Sequence, residues 1–171
     1  MSKEFSVDEL TLKEKVQIVS GNTFWSMGDI ERAGLPKMVT SDASNGIRQQ
    51  YKDSGYNNRL GNIPAVCYPS LCACGCSFDK EQIFEMGRAL GEECKKRGIS
   101  VLLGPGLNIK RNPLCGRNFE YLSEDPILSG MMGAAFIQGV QSTGVAACPK
   151  HFAGNNQETR RSKSDSVIGD E

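Results

Sequence analysis

The sequence predicts an α/β fold built on parallel strands: three or four strand–helix units, an open part of an eight-fold barrel. Short apolar runs at 38–40, 100–103 and 145–148 alternate with stretches of helical periodicity, and such alternation implies parallel pairing. A polar cluster follows each apolar run, where chemistry gathers in folds of this kind. Finally, the chain has 171 residues, whereas a closed (β/α)8 barrel takes about 250.

Thr11-Leu12-Lys13-Glu14 reads as a capping box, with Leu12, Val16 and Val19 on one helix face and Gly21 as the stop. Pro36 precedes Met38-Val39-Thr40, a short strand ending at Ser41-Asp42. The stretch from Tyr51 to Asn62 is polar and rich in Asn and Gly, which predicts an exposed loop. Asp79 caps a helix carrying Ile83, Met86, Leu90 and Cys94, closed by Arg97-Gly98. Ser100–Leu103 is a strand of the buried type, broken by Gly104-Pro105-Gly106. After a long loop, Pro126 sits in the first turn of another helix, with Leu128, Met131, Ala135 and Phe136 as its apolar stripe. Val145–Cys148 is the last strand, and a polar run, RRSKSDSVIGDE, follows. Unclosed parallel strands leave open edges, so the isolated chain is expected to aggregate or pack loosely.

Composition narrows the function classes. Apolar residues make up 39% of the chain, and twenty basic residues balance twenty acidic ones. No net field therefore favours nucleic acid or an anionic membrane. No run approaches the roughly 20 apolar residues of a membrane helix, and the charged MSKEFSVDELTLKEK shows no apolar signal region. Seven cysteines in no framework spacing favour a reducing compartment, hence a cytoplasmic protein. Cys72, Cys74 and Cys76 alternate in LCACGCSF. In an extended segment all three would share a face, but this spacing does not suit a zinc site; small buried thiols are the better reading. No metal and no cofactor is expected.

Three polar clusters converge on one rim: Ser41-Asp42, the loop holding Arg111 and Arg117, and Lys150-His151. Asp42 precedes small residues that would let a ligand approach, and a carboxylate accepting two hydroxyl protons suits a sugar; capping the next turn is its ordinary alternative. Arg117 would offer a planar fork and Lys150 a mobile point charge, although both residue types usually end as solvated surface charge. His151, the chain's single histidine, fits a general base, a hydroxyl binder, a metal ligand or a packed core residue. Lys150 beside it should lower its pKa and favour neutral imidazole. Glu120, Glu124 and Asp125 lie within six residues. Carboxylates that cleave a glycoside stand roughly 5–9 Å apart and come from different loops, so capping and pairing to an arginine explain these three better. Neither a nucleophile elbow nor a phosphate-binding glycine loop occurs.

These same residues carry a specific resemblance. GPGLNIKRNPLCGRNFEYLSEDPILSG followed by GVAACPKHFAGNNQETRR, with LTLKEKVQIVSG and SDASNGIR before them, resembles the N-terminal catalytic domain of glycoside hydrolase family 3, the β-glucosidases. The likeness runs from about Leu10 to the end of the chain, in the family's order. It implies a TIM-type barrel and retaining hydrolysis of β-glucosides or related glycosides from the non-reducing end. The family's first-loop aspartate matches Asp42, its G-R arginine Arg117 and its Lys-His pair Lys150 and His151, all of which hold hydroxyls of the sugar whose bond is cut. Arg161 matches a scaffold arginine, and Arg111 is also structural.

Two departures stand out. The family's first loop reads Asp-Gly-Pro-His-Gly, against Asp42-Ala43-Ser44-Asn45-Gly46 here, which opens the question of the preferred sugar. The family's nucleophile, an aspartate usually beside a tryptophan, and its later acid/base glutamate have no counterpart, since the single tryptophan is Trp25. Residues 1–171 are thus expected to be the N-terminal part of the catalytic barrel, truncated before its catalytic pair. The expected partner is a small-molecule β-glucoside or oligosaccharide, with no nucleic acid and no membrane; the oligomeric state is left open. The alternative is a non-catalytic carbohydrate-binding or interaction module left from a truncated gene.

Overall fold

A computed structural model describes residues 6–42, 44–50 and 61–169. Helix α1 (Leu12–Ser20) opens on the expected capping box: the Glu14 backbone N–H donates to the Thr11 hydroxyl, and the Glu14 carboxylate accepts from the Thr11 N–H at 2.8 Å. It stops at Gly21, whose φ of 71° suits only glycine well. Leu12, Val16 and Val19 do share a face, but that face is bare, with Leu12 77% and Val19 84% exposed. The helix is held from its polar side instead, where Arg32 clamps the Glu14 carboxylate at 2.5 Å. A small apolar cluster of Leu10, Ile30 and Ala33 lies beside it, with Ile18 and Leu35 packed on.

The sheet runs β1 (Ser26–Met27), β2 (Met38–Asp42), β3 (Val101–Leu103) and β4 (Ala146–Ala147), in that order. Strands β2, β3 and β4 pair in parallel, as alternation predicts, with Ser41 opposite Leu102 and Leu102 opposite Ala147. Strand β1 pairs antiparallel to β2; it was not foreseen, because two residues carry no readable period. The polar stretch expected as a loop at 51–62 lies, for 51–60, outside the described residues. Its ends are tied, since the Ile63 N–H donates to the Gln49 carbonyl at 2.7 Å.

The alternating cysteines require a correction. Residues Leu71–Gly75 form a short helix, α2, not an extended segment. Ser70 follows Pro69 and caps the helix by accepting the Ala73 N–H, and that cap decides the conformation. The three thiols therefore part company: Cys74 is buried, Cys72 half-buried and Cys76 exposed.

Helices α3 (Lys80–Lys96) and α4 (Pro126–Gln141) cover the sheet. Asp79 caps α3 through the Gln82 N–H, and Asp125 caps α4 through the N–H groups of Ile127 and Leu128. The two helices pack tightly because glycines face backbone: a Cβ on Gly87 would sit 2.3 Å from the Phe136 carbonyl oxygen, and one on Gly139 2.1 Å from that of Phe84. Leu90, Cys94, Leu102, Phe136 and Val140 are fully buried between helices and sheet, each large apolar side chain contributing about 1.5–3 kcal/mol. In α4 the buried methionine is Met132, with Met131 half exposed. Of the expected stripe, Leu128, Ala135 and Phe136 do face the core and only Met131 does not, its place being taken by Met132; Gly133 and Gly139 complete the buried face and carry no apolar signal.

Candidate functional site

The ends of β2, β3 and β4 lie side by side, and the loop after β3 folds over them. Gly106 bridges to both Tyr121 and Lys150, so the 117–121 segment and the 150–151 segment flank one glycine. A side chain at Gly106 is excluded, since its Cβ would meet the Glu120 carbonyl oxygen at 2.3 Å. The Lys150 N–H donates to the Pro105 carbonyl at 2.9 Å, and the Leu107 N–H to the Lys150 carbonyl at 2.7 Å. Asn108 then grips His151 by its backbone, accepting its N–H at 2.8 Å and donating to its carbonyl at 3.0 Å.

All four residues singled out by the sequence meet here. Asp42, the last residue of β2, accepts from Lys150 Nζ at 2.5 Å, joining positions 108 apart in sequence. The Lys150 side chain is 15% exposed and that of Asp42 45%, so the pair opens to solvent on the carboxylate side. Arg117 donates through Nε to Glu120 and through Nη2 to His151 Nε2, the latter at 2.9 Å. His151 Nδ1 lies 2.9 Å from the Tyr121 hydroxyl, which also accepts from Asn155 Nδ2 at 2.8 Å. Both ring nitrogens of His151 therefore engage protein groups, and a hydroxyl contact there has to share or displace one of them.

The other assigned roles can be placed too. Glu120 pairs with Arg117 and is almost fully buried, Asp125 caps α4, and Glu124 is exposed. Arg161 touches Glu158 at 3.5 Å, and Glu158 approaches Arg117 at 3.9 Å; among the described residues Arg161 thus reaches the cluster through Glu158. Asn108, Tyr121 and Asn155 were not anticipated. The available signal was Tyr121 itself, an aromatic with a polar handle inside the charged run FEYLSEDP, since a buried tyrosine hydroxyl usually has a partner.

Burial is the largest cause holding the His151 imidazole below its ordinary pKa, followed by Arg117 and then Lys150, against weaker opposing pulls from Glu120 and Asp42. The expected direction holds, but the lysine named from sequence is a lesser contributor. The Tyr121 phenol is pushed up, chiefly by burial. Burial is the largest single pull on Arg117 and acts downward, yet its hydrogen bond to Glu120 and the charges of Glu120, Tyr121 and Glu158 together outweigh it and leave Arg117 raised. At neutral pH the cluster is a fixed cation beside a neutral imidazole and a neutral phenol, next to a lysine–aspartate pair. Such a set can grip a polyol: one carboxylate to accept hydroxyl protons and two cationic side chains to donate.

The model of the glycosyl hydrolase family 3 N-terminal domain matches residues 11–170. Thermostable beta-glucosidase B of Acetivibrio thermocellus is 49% identical over 162 residues, covering 95% of this chain and 22% of that protein. An exo-alpha-(1->6)-L-arabinopyranosidase of Bifidobacterium longum is 43% identical over 164 residues, again 95% and 22%. Beta-glucosidase 3B from Thermotoga neapolitana, solved in complex with glucose, superposes with a TM-score of 0.77 at 40% identity, covering 88% of this chain and 23% of that one. The chain spans about a fifth of the length of the curated relatives it matches. With β2, β3 and β4 parallel in sequential order, these likenesses identify the fold as the first part of a (β/α)8 barrel.

Proposed function

Because the chain belongs to glycosyl hydrolase family 3, we propose that its strand-end cluster is the hydroxyl-binding part of a β-glucosidase-type site. The whole protein would hydrolyse the non-reducing terminal β-glucosidic bond with retention, and these residues would hold the sugar that is released. The observation that carries this reading is the Asp42–Lys150 pair, which ties two strand ends together at the rim. Among the described residues only Oδ1 of Asp42 is engaged, which leaves Oδ2 to accept sugar hydroxyls. Lys150 Nζ has three protons and gives one to Asp42. Arg117, braced by Glu120 and His151, supplies directional donors. Carboxylate-assisted hydrogen bonds are the strong ones, so the sugar is gripped mainly through charged partners.

Titration calorimetry with glucose tests the reading. The 171-residue chain is expected to bind glucose, and Asp42→Ala to weaken binding by about ten-fold or more, since a hydrogen bond to a charged group contributes about 1.5–3 kcal/mol. The chain alone is expected not to hydrolyse nitrophenyl β-glucoside, as Asp42 is tied to Lys150 and the neighbouring carboxylates Glu120 and Glu158 sit against Arg117. Glucose binding that survives Asp42→Ala unchanged would overturn the proposal. So would turnover by the chain that matches a full-length relative.

One observation favours a second reading of the sugar. The first loop departs from the usual pattern at Ala43-Ser44-Asn45, and two relatives at 43% identity are named as arabinopyranosidases. Competition between glucose and arabinose for the same site separates a hexose from a pentopyranose preference. The free state of all seven cysteines, with Cys67, Cys76 and Cys148 exposed, supports a reducing, cytoplasmic setting for the protein.

A further inference from the structure

The rim cluster is wired by hydrogen bonds whose direction can be deduced. A guanidinium has donors only, so the 2.9 Å contact from Arg117 Nη2 requires a lone pair on His151 Nε2. A neutral imidazole with a bare Nε2 carries its proton on Nδ1. That Nδ1 lies 2.9 Å from the Tyr121 hydroxyl, so the tyrosine oxygen is the acceptor. Asn155 Nδ2 donates to the same oxygen at 2.8 Å, consistent with an oxygen that receives from two sides. The other tautomer would set N–H against N–H at Nε2, and so would the imidazolium.

We propose that Tyr121 is a positioning residue: its hydroxyl oxygen receives the His151 Nδ1–H and, together with the donor-only Arg117 at Nε2, holds the tautomer whose Nε2 lone pair steadies that guanidinium beside the Asp42–Lys150 pair. Tyr121 is fully buried and its ring meets the imidazole edge-on, with centroids 6.0 Å apart, so the hydroxyl cannot swing away. Asn108 fixes His151 from its backbone, which leaves the ring little freedom to seek another acceptor. Arg117 is thereby held on two sides, by Glu120 and by His151. Without the imidazole lone pair, Glu120 and the more distant Glu158 are its remaining restraints among the described residues. The charged and titratable groups facing the imidazole are Arg117 and Lys150, which oppose a second proton, and Glu120 and Asp42, which favour it, together with the Tyr121 phenol. The balance keeps the ring neutral, as the wiring demands.

The sugar reading enters only the binding arm of the test. His151 is the chain's single histidine, so long-range proton–nitrogen NMR reports its tautomer without assignment. The wild-type chain at pH 7.5 is expected to show the Nδ1–H form. Tyr121→Phe keeps the ring and removes the acceptor but not Arg117; the Nδ1–H population should fall measurably, with glucose affinity falling about five-fold, the worth of roughly one hydrogen bond. Asn155→Ala, which touches Tyr121 but not His151, should leave the tautomer in place. An Nε2–H or mixed wild-type ring overturns the proposal even if Tyr121→Phe fails to fold. An unchanged tautomer in a folded Tyr121→Phe overturns it too, as does a changed tautomer with unchanged glucose affinity. If neither protein binds glucose while the tautomer shifts as expected, the sugar reading fails and the positioning role stands.

Discussion

Helices α1 and α3 begin alike, each with a polar cap and an apolar stripe at helical spacing, and end in opposite environments. On α3 the stripe of Ile83, Met86, Leu90 and Cys94 is buried under α4 and the sheet. On α1 the stripe of Leu12, Val16 and Val19 lies bare, and the helix is held by Thr11, Glu14 and Arg32. Periodicity tells which side chains share a face; it does not tell what covers that face. The α3 layer therefore owes its stability to extensive packing and the α1 segment to a few polar contacts and the small cluster around Ile18, and the two should respond to different perturbations.

The largest expected effect lies in the packed layer. Phe136 is fully buried and faces the α3–α4 contact, so Phe136→Ala should cost about 3–5 kcal/mol through lost burial and the cavity left behind. The check is the urea midpoint followed by circular dichroism. A loss no larger than that of an α1 surface variant would erase the contrast between the two helices.

The same contrast explains how much could be read in advance. Thr11, Asp79 and Asp125 were legible as caps because a cap is a local event, settled within three or four residues. The rim residues Asp42, Lys150 and His151 were legible because strand ends in parallel folds collect polar groups, whereas Arg117 was told from Arg111 only by the family resemblance. Strand β1 was not, since two residues pair with a partner a dozen positions away and leave no period. Helix α2 hid behind alternating cysteines, whose period of two was accidental beside the Ser70 cap. Tyr121 and Asn108 were missed because their roles depend on contacts made 30 and 43 positions away, which no local pattern announces.

A smaller effect tests the polar hold on α1. Thr11→Ala removes the cap and should cost about 1 kcal/mol, read locally from the fluorescence of Trp25, the single tryptophan, on the chain leading into β1. Acid should reach this segment by a known route. Arg32 first, then Thr11, hold the Glu14 carboxyl down from 4.5 to about 2. A carboxyl depressed in the folded state contributes stability that is complete above its unfolded pKa and lost as pH falls toward its folded one. The Trp25 signal should therefore weaken between about pH 4.5 and 2, and Arg32→Ala should remove most of that dependence. If Arg32→Ala leaves the acid slope unchanged, the clamp does not hold the segment.

The smallest effect is the most informative about α1. Val19 is 84% exposed on the bare stripe, and valine and serine have similar helix propensities. Val19→Ser should then change stability by no more than about 0.5 kcal/mol, as surface substitutions usually do. Leu90→Ser on α3, at a fully buried position of the matching stripe, should unfold the chain, because it removes apolar contact and buries a hydroxyl. If Val19→Ser instead cost more than about 1 kcal/mol, something would have to cover Leu12, Val16 and Val19 in solution. The difference between the two helices would then be one of partner rather than of kind, and both stripes would obey the same rule of burial.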